Sequence, residues 1–111
     1  MTKVSPDQLE FSFKEKKRMN DLNSVLLEGE LVNDPLFINS KSIFNLDVHR
    51  SGKTNIFKVI CGGHLAEVCD EYLKTGRRVR AVGRLDTDES GLAYLLAEHV
   101  EFRPIRNTNE E

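Results

Sequence analysis

The chain has 111 residues, of which 39% are hydrophobic and 31% charged, and its formal net charge is −2 at pH 7. This size suits one small domain with extensions, and a net charge near zero excludes a chain that is basic throughout. No stretch approaches the roughly 20 apolar residues of a membrane span, residues 1–20 contain no apolar signal core, and two cysteines are too few for a disulfide framework, so we expect a cytoplasmic protein.

Residues 1–22 are predicted to form an N-terminal extension. Ser5-Pro6-Asp7-Gln8 is typical of a helix start, whereas the apolar residues alternate from Leu9 to Phe13 as they would in a strand. Both interpretations stay open. The basic run from Lys14 to Arg18 is either a solvated segment or an arm that contacts phosphates or a partner.

Two strands are predicted next. The first runs from Ser24 to Leu31, and Gly29 in its middle indicates the kind of bend that a small closed barrel needs. Asn33-Asp34-Pro35 ends it with turn chemistry. The second strand runs from Ser42 to Arg50, and its alternation places three apolar side chains on one face: Phe44, Leu46 and Val48.

A third strand and a helix follow. The third strand runs from Asn55 to Cys61, with Phe57 expected to point into the core and Ile56, Lys58 and Ile60 on the opposite face. The helix runs from His64 to Thr75, and Gly76 is expected as its left-handed end cap. One apolar face of this helix is formed by Leu65, Val68, Cys69, Tyr72 and Leu73.

The fourth strand is predicted from Arg78 to Leu85, with Gly83 as a second bend, and the fifth from Leu92 to Phe102. An acidic turn over residues 86–91 joins them, and residues 105–111 form a polar tail. The order of strands and helix predicts an all-β barrel of five strands with one helix between strands three and four. Periodicity alone also allows another small barrel or an α+β sheet.

No arrangement of residues indicates catalysis. There is no glycine-rich phosphate loop and no pairing of a nucleophile with a base. The spacing of Cys61, His64 and Cys69 does not close a zinc site, so both cysteines are expected to be buried small hydrophobic residues. We therefore expect no enzyme, no cofactor and no metal.

Four short pieces carry a resemblance to a known family. Leu65-Ala66-Glu67, Glu71 to Gly76, Val82 to Leu85 and Val100-Glu101-Phe102 stand in an order and spacing similar to those of the bacterial single-stranded-DNA-binding proteins. The resemblance covers residues 23–104. It implies an OB-fold barrel that binds single-stranded DNA in replication, recombination or repair. It also implies a homodimer or homotetramer formed through the first strand, and contacts with replication or repair proteins.

The chain departs from this family in its aromatic residues. Where the family places stacking aromatics, this chain has His49 and Arg50, then Ile56 and Gly62, then the acidic turn. We therefore expect binding that depends mainly on charge, with weakened stacking. The residues expected to contact nucleic acid are His49, Arg50, Lys53, Lys58, Arg78, Arg80, Arg84 and Tyr94.

An alternative function stays open. The barrel could have lost most of its DNA affinity and act as an adaptor that pairs with another replication protein through Ile56, Ile60 and the N-terminal extension. Surface charge separates the two hypotheses. A continuous positive track across strands two to four favours DNA binding, and a broken track favours the adaptor.

Overall fold

The structure is a computed structural model, and the residues it describes are 19–104. The interpretations of residues 5–18 and of the polar tail lie outside this range, and the division of the chain into extension, domain and tail stays a prediction. The elements are β1 (Val25–Leu31), β2 (Leu36–Ile38), β3 (Lys41–Arg50), β4 (Lys53–Gly62), α1 (Gly63–Tyr72), β5 (Arg78–Thr87) and β6 (Ala93–Phe102).

The strands form one sheet that closes on itself. Their order is β1-β5-β6-β4-β3-β2, and β1 also pairs with β3. All pairings are antiparallel except the one between β4 and β6. With α1 between the third and fourth long strands, the predicted five-stranded barrel is confirmed, and the additional strand β2 extends the sheet at the edge of β3.

The helix ends earlier than its apolar pattern predicts. α1 stops at Tyr72 because Leu73 adopts an extended backbone (φ −91°, ψ 143°) and is only 2% exposed. Burial of this leucine turns the chain towards β5. Gly76 is left-handed (φ 92°), but it lies in the following turn, where its N–H donates a hydrogen bond to the Leu31 carbonyl at 2.8 Å. Gly76 is therefore a turn residue and not the end cap of the helix.

The two glycines predicted as bends lie where strands cross closely. A Cβ on Gly29 would overlap the backbone carbonyl of Asp47, and one on Gly83 would overlap that of Leu96. Gly83 also adjoins the bulge in the pairing of β5 with β6. Only a residue without a side chain allows this approach, so both glycines let the strands of the barrel pack closely.

The core fills the barrel and the space beneath the helix. Cys61 and Cys69 are fully buried, as predicted, and their sulfur atoms lie 3.8 Å apart between β4 and α1. The other buried hydrophobic residues are Leu31, Phe44, Leu46, Val59, Ala66, Leu73, Val79, Ala81, Leu95, Ala97 and Val100.

No helix in the described part of the chain could span a membrane. Between residues 19 and 104 the helix has 10 residues, which is too short to cross a bilayer, and it is not continuously apolar.

Candidate nucleic-acid interface

The outer face of β3 and β4 is the first candidate surface. OB folds bind oligonucleotides on the face of their second and third strands, which are β3 and β4 here. These strands pair without interruption from Lys41 opposite Gly62 to Arg50 opposite Lys53. Because side chains alternate along a strand, this face carries Ile43, Asn45, Asp47 and His49 from β3, and Thr54, Ile56, Lys58 and Ile60 from β4.

One cross-strand row of this face is entirely aliphatic. Leu36 pairs with Ile43, Ile43 with Ile60, and Ile60 with Leu96, so the row crosses β2, β3, β4 and β6. Leu36 is 59% exposed, and the other three are half-buried. This aliphatic row provides an apolar strip, but it lacks the aromatic faces on which nucleobases stack.

Three predicted residues meet at the tip of the β3–β4 hairpin. His49, Arg50 and Lys53 are exposed, and Arg50 lies directly opposite Lys53. Within residues 19–104 neither cation has a carboxylate within 4 Å. Like charges that face each other across a sheet repel, so a phosphate placed between them would be stabilising.

Lys58 and Tyr94 are neighbours on the same outer face. Val59 and Leu95 are partners in the parallel pairing of β4 with β6. Lys58 immediately precedes Val59 and Tyr94 immediately precedes Leu95, so the two side chains lie side by side. The adjacent loop carries Asp88. Hydrogen bonds from the Ser90 hydroxyl and from the Leu92 and Ser90 N–H groups hold the pKa of Asp88 below its usual value, and Lys58 contributes a smaller lowering. Lys58 is therefore a cation with an acidic neighbour.

The arginines of β5 are held by carboxylates. Arg80 donates hydrogen bonds to Glu28 from Nη2 at 3.1 Å and from Nε at 3.3 Å, and it also lies 3.7 Å from Glu101. Arg78 lies 3.9 Å from Glu28, and so does Arg103. This cluster is called the Glu28 network below. Its glutamates neutralise much of the charge that the sequence assigns to β5.

Arg84 is also paired, with Glu98. Glu98 lies in the bulge of β6 opposite Gly83, so the bulge presents the carboxylate to β5. Together with the Glu28 network, this ion pair interrupts the positive charge across strands two to four, and a broken track is the arrangement expected for the adaptor. Of the eight predicted residues, three are therefore clustered at the hairpin tip, two lie together at mid-sheet, and three are ion-paired on β5.

The sequence did not predict the exposure of three aromatic residues. Phe57 was expected in the core, yet it is 44% exposed, because the hairpin extends past the packed interior of the barrel. Phe37 on β2 is 42% exposed and Tyr72 at the end of α1 is 59% exposed. Alternation indicates the side of a strand on which a residue lies, but not where the core ends.

Comparison with known proteins shows which proteins the chain resembles. The chain is 34% identical over 80 residues to single-stranded DNA-binding protein 1 of Chlorobaculum tepidum, covering 60% of this chain and 49% of that protein. Its fold is similar to that of the small single-stranded DNA-binding protein of Streptomyces coelicolor, with a TM-score of 0.69, 25% identity, and coverage of 80% of this chain and 100% of that one. The chain has the OB fold and is similar to the bacterial single-stranded-DNA-binding proteins.

A further structure agrees. The fold is similar to a deletion variant of the single-stranded DNA binding protein from Thermus aquaticus, with a TM-score of 0.69, 27% identity, and coverage of 81% of this chain and 45% of that one. No family model matches the chain. The chain spans about half the length of the Chlorobaculum protein, 49% of it.

Proposed function

We propose that this chain binds single-stranded DNA without catalysis, in replication, recombination or repair. The observation that carries the proposal is the likeness to the small single-stranded DNA-binding protein of Streptomyces coelicolor, since the whole of that chain is matched by this barrel. Exposed Lys58 on the outer face of β3 and β4, with Arg50 and Lys53 at the hairpin tip, supports it, because backbone phosphates are bound by such groups.

The binding is mainly electrostatic. Arg50, Lys53 and Lys58 are the predicted contacts that have no ion pair within the described range. Three phosphate contacts give a slope of about −2 when the logarithm of the binding constant is plotted against the logarithm of the salt concentration, because each contact on a single strand contributes about −0.7. Affinity should therefore fall about 20-fold between about 50 and 200 mM salt.

Assembly through the first strand fits the exposed edge of β1. β1 pairs with β5 along its length but with β3 only at Glu30 and Leu31. In the described range the backbone of residues 25–29 thus has one edge without a sheet partner, and Leu26 beside it is 61% exposed. We propose a homodimer or homotetramer in which two such edges pair.

A second candidate function is favoured by the interrupted positive track. The Glu28 network and the pair of Arg84 with Glu98 reduce the basic surface, and the aliphatic row lies where stacking would be needed. An adaptor that docks a replication or repair protein through this row is the alternative. It predicts that the row is more important than Lys58 for partner binding.

The test is fluorescence anisotropy with a labelled oligo-dT of about 35 nucleotides, long enough for several OB-fold site sizes, at two salt concentrations. Lys58→Gln should weaken binding, whereas Arg84→Gln, with the same change in charge, should have a smaller effect because Arg84 is already paired. Weak binding that is lost at the higher salt supports the electrostatic mode. Absence of binding at both salts would exclude DNA binding and favour the adaptor.

A further inference from the structure

A cleft lies at the turn between α1 and β5. Its volume is about 290 Å³, close to the lower end of the roughly 300–1,000 Å³ typical of small-ligand sites. It shares no residue with the outer face of β3 and β4. The cleft is lined by Tyr72, Lys74, Thr75, Gly76 and Arg77.

Tyr72 offers an exposed aromatic face at this cleft. It is the last residue of α1 and is 59% exposed. The next residue, Leu73, turns into the core in an extended conformation, which leaves the tyrosine ring outside. Exposed aromatic rings beside cations are the groups on which single-stranded nucleic acids stack their bases.

Two cations line the same cleft. In the described range Lys74 and Arg77 have no carboxylate within 4 Å. The Arg77 guanidinium lies over the Phe102 ring, 5.6 Å from its centroid, and its buried Nε has no hydrogen-bond partner there. The cation–π contact with Phe102 restrains the guanidinium, whose Nη groups, and not the buried Nε, would bind an anion.

Asp34, an acidic residue beside the cleft, is already engaged. Asp34 accepts hydrogen bonds from the Thr75 N–H and hydroxyl, both at 2.8 Å. These bonds, and to a smaller extent the charge of Lys74, hold the pKa of Asp34 below its usual value. Asp34 therefore anchors the turn as an anion, and the lining of the cleft itself carries two cations and no carboxylate.

The turn is held in place by the barrel. The Gly76 N–H donates to the Leu31 carbonyl at 2.8 Å, and the Leu31 N–H donates to the Arg77 carbonyl at 2.9 Å. The Arg77 N–H donates to the Lys74 carbonyl at 3.0 Å. A ligand would find the ring and both cations already positioned, which lowers the entropic cost of binding.

We propose that this cleft is a second nucleotide-binding subsite, in which a base of a single strand stacks on Tyr72 and the adjoining phosphate lies between Lys74 and Arg77. The proposal rests on the function proposed above, single-stranded nucleic-acid binding. It extends the path of the strand from the outer face of β3 and β4 to the end of α1.

The chain provides its own reporters for a test, because it contains two tyrosines and no tryptophan. Tyr94→Phe leaves Tyr72 as the sole tyrosine, and Tyr72→Phe leaves Tyr94 on the outer face. Both variants are titrated with oligo-dT while anisotropy of a labelled strand records overall binding. The expected result is quenching of Tyr72 fluorescence with the same midpoint as the anisotropy change.

Substitutions test whether a base stacks on the Tyr72 ring or only lies near it. Tyr72→Ala should lower affinity about 5- to 140-fold, the range expected for loss of one stacked base, while Tyr72→Phe should retain it. His64→Ala on the same helix is the matched control and should change little, because His64 is exposed but does not line the cleft. Lys74→Gln should reduce the salt slope by about 0.7.

The possible failures are distinguishable. Binding by anisotropy with quenching of Tyr94 but not of Tyr72 would overturn the subsite and leave the proposed function intact. Equal losses for Tyr72→Ala and Tyr72→Phe would also count against stacking. Absence of binding in any assay would overturn both the subsite and the function on which it rests.

Discussion

Replacing Glu28 by Gln is expected to raise the affinity for single-stranded DNA. Glu28 lies within 4 Å of Arg78, Arg80 and Arg103. Arg80 and Arg103 also contact Glu101, at 3.7 and 3.6 Å, whereas Arg78 has no second carboxylate within 4 Å in the described range. The substitution should therefore release Arg78 most completely for a phosphate.

The magnitude follows from counterion release. One additional phosphate contact on a single strand raises affinity about 8-fold at about 50 mM salt and about 3-fold at about 200 mM, and it steepens the salt slope by about 0.7. The cost in stability should stay below about 1 kcal/mol, because these ion pairs are partly exposed to solvent. Glu28 is 37% exposed and Arg80 34%.

The assay is anisotropy with labelled oligo-dT at both salt concentrations, with Glu67→Gln as the control. Glu67 is exposed on α1 and its replacement changes the net charge equally. An equal increase for both variants would mean that only net charge matters. No increase for Glu28→Gln would show that the β5 face lies outside the path of the strand, and the proposed roles of Arg78 and Arg80 would be wrong.

Further predictions concern stability, pH and thiol chemistry. Gly83→Ala should lower the free energy of unfolding by about 1–3 kcal/mol in urea denaturation, whereas Gly62→Ala, with open space around it, should be nearly neutral; equal costs would refute the close strand approach. Because the pKa of Asp88 is lowered, its loop contacts should be fully present above pH 3.8, the ordinary pKa of Asp, and should be lost as the pH falls through the lowered pKa. Amide chemical shifts of the loop should follow this loss, and Asp88→Ala should abolish the pH dependence. Cys61 and Cys69 should react with a thiol reagent far more slowly in the folded chain than in urea, because both are buried and the hydrogen bond with Cys61 raises the pKa of Cys69; equal rates would contradict their burial.

Local patterns in the sequence were sufficient for the long strands and the helix, and the family resemblance selected the OB barrel among the folds that their order allows. Alternation over Phe44, Leu46 and Val48 indicated a strand with one buried face, and the structure buries the first two completely and the third partly. Gly29 and Gly83 marked the bends, because a glycine inside a strand is costly unless another backbone approaches closely. These properties depend on residues near one another in the chain, so periodicity and residue type express them directly.

The candidate binding surface depended on contacts that no local pattern contains. Arg80 meets Glu28 across 52 positions of sequence, and the aliphatic row is assembled by the register of four strands. A run of arginines in the sequence looks basic, but its charge is decided by carboxylates that other strands bring beside it. Likewise, burial of Leu73 is what leaves Tyr72 exposed beside Lys74 and Arg77.

The sequence by itself determined the order of strands, the bends and the buried cysteines, because each follows from neighbours in the chain. Only the tertiary structure decided which cations stay available to a ligand, because ion pairing and exposure depend on distance in space.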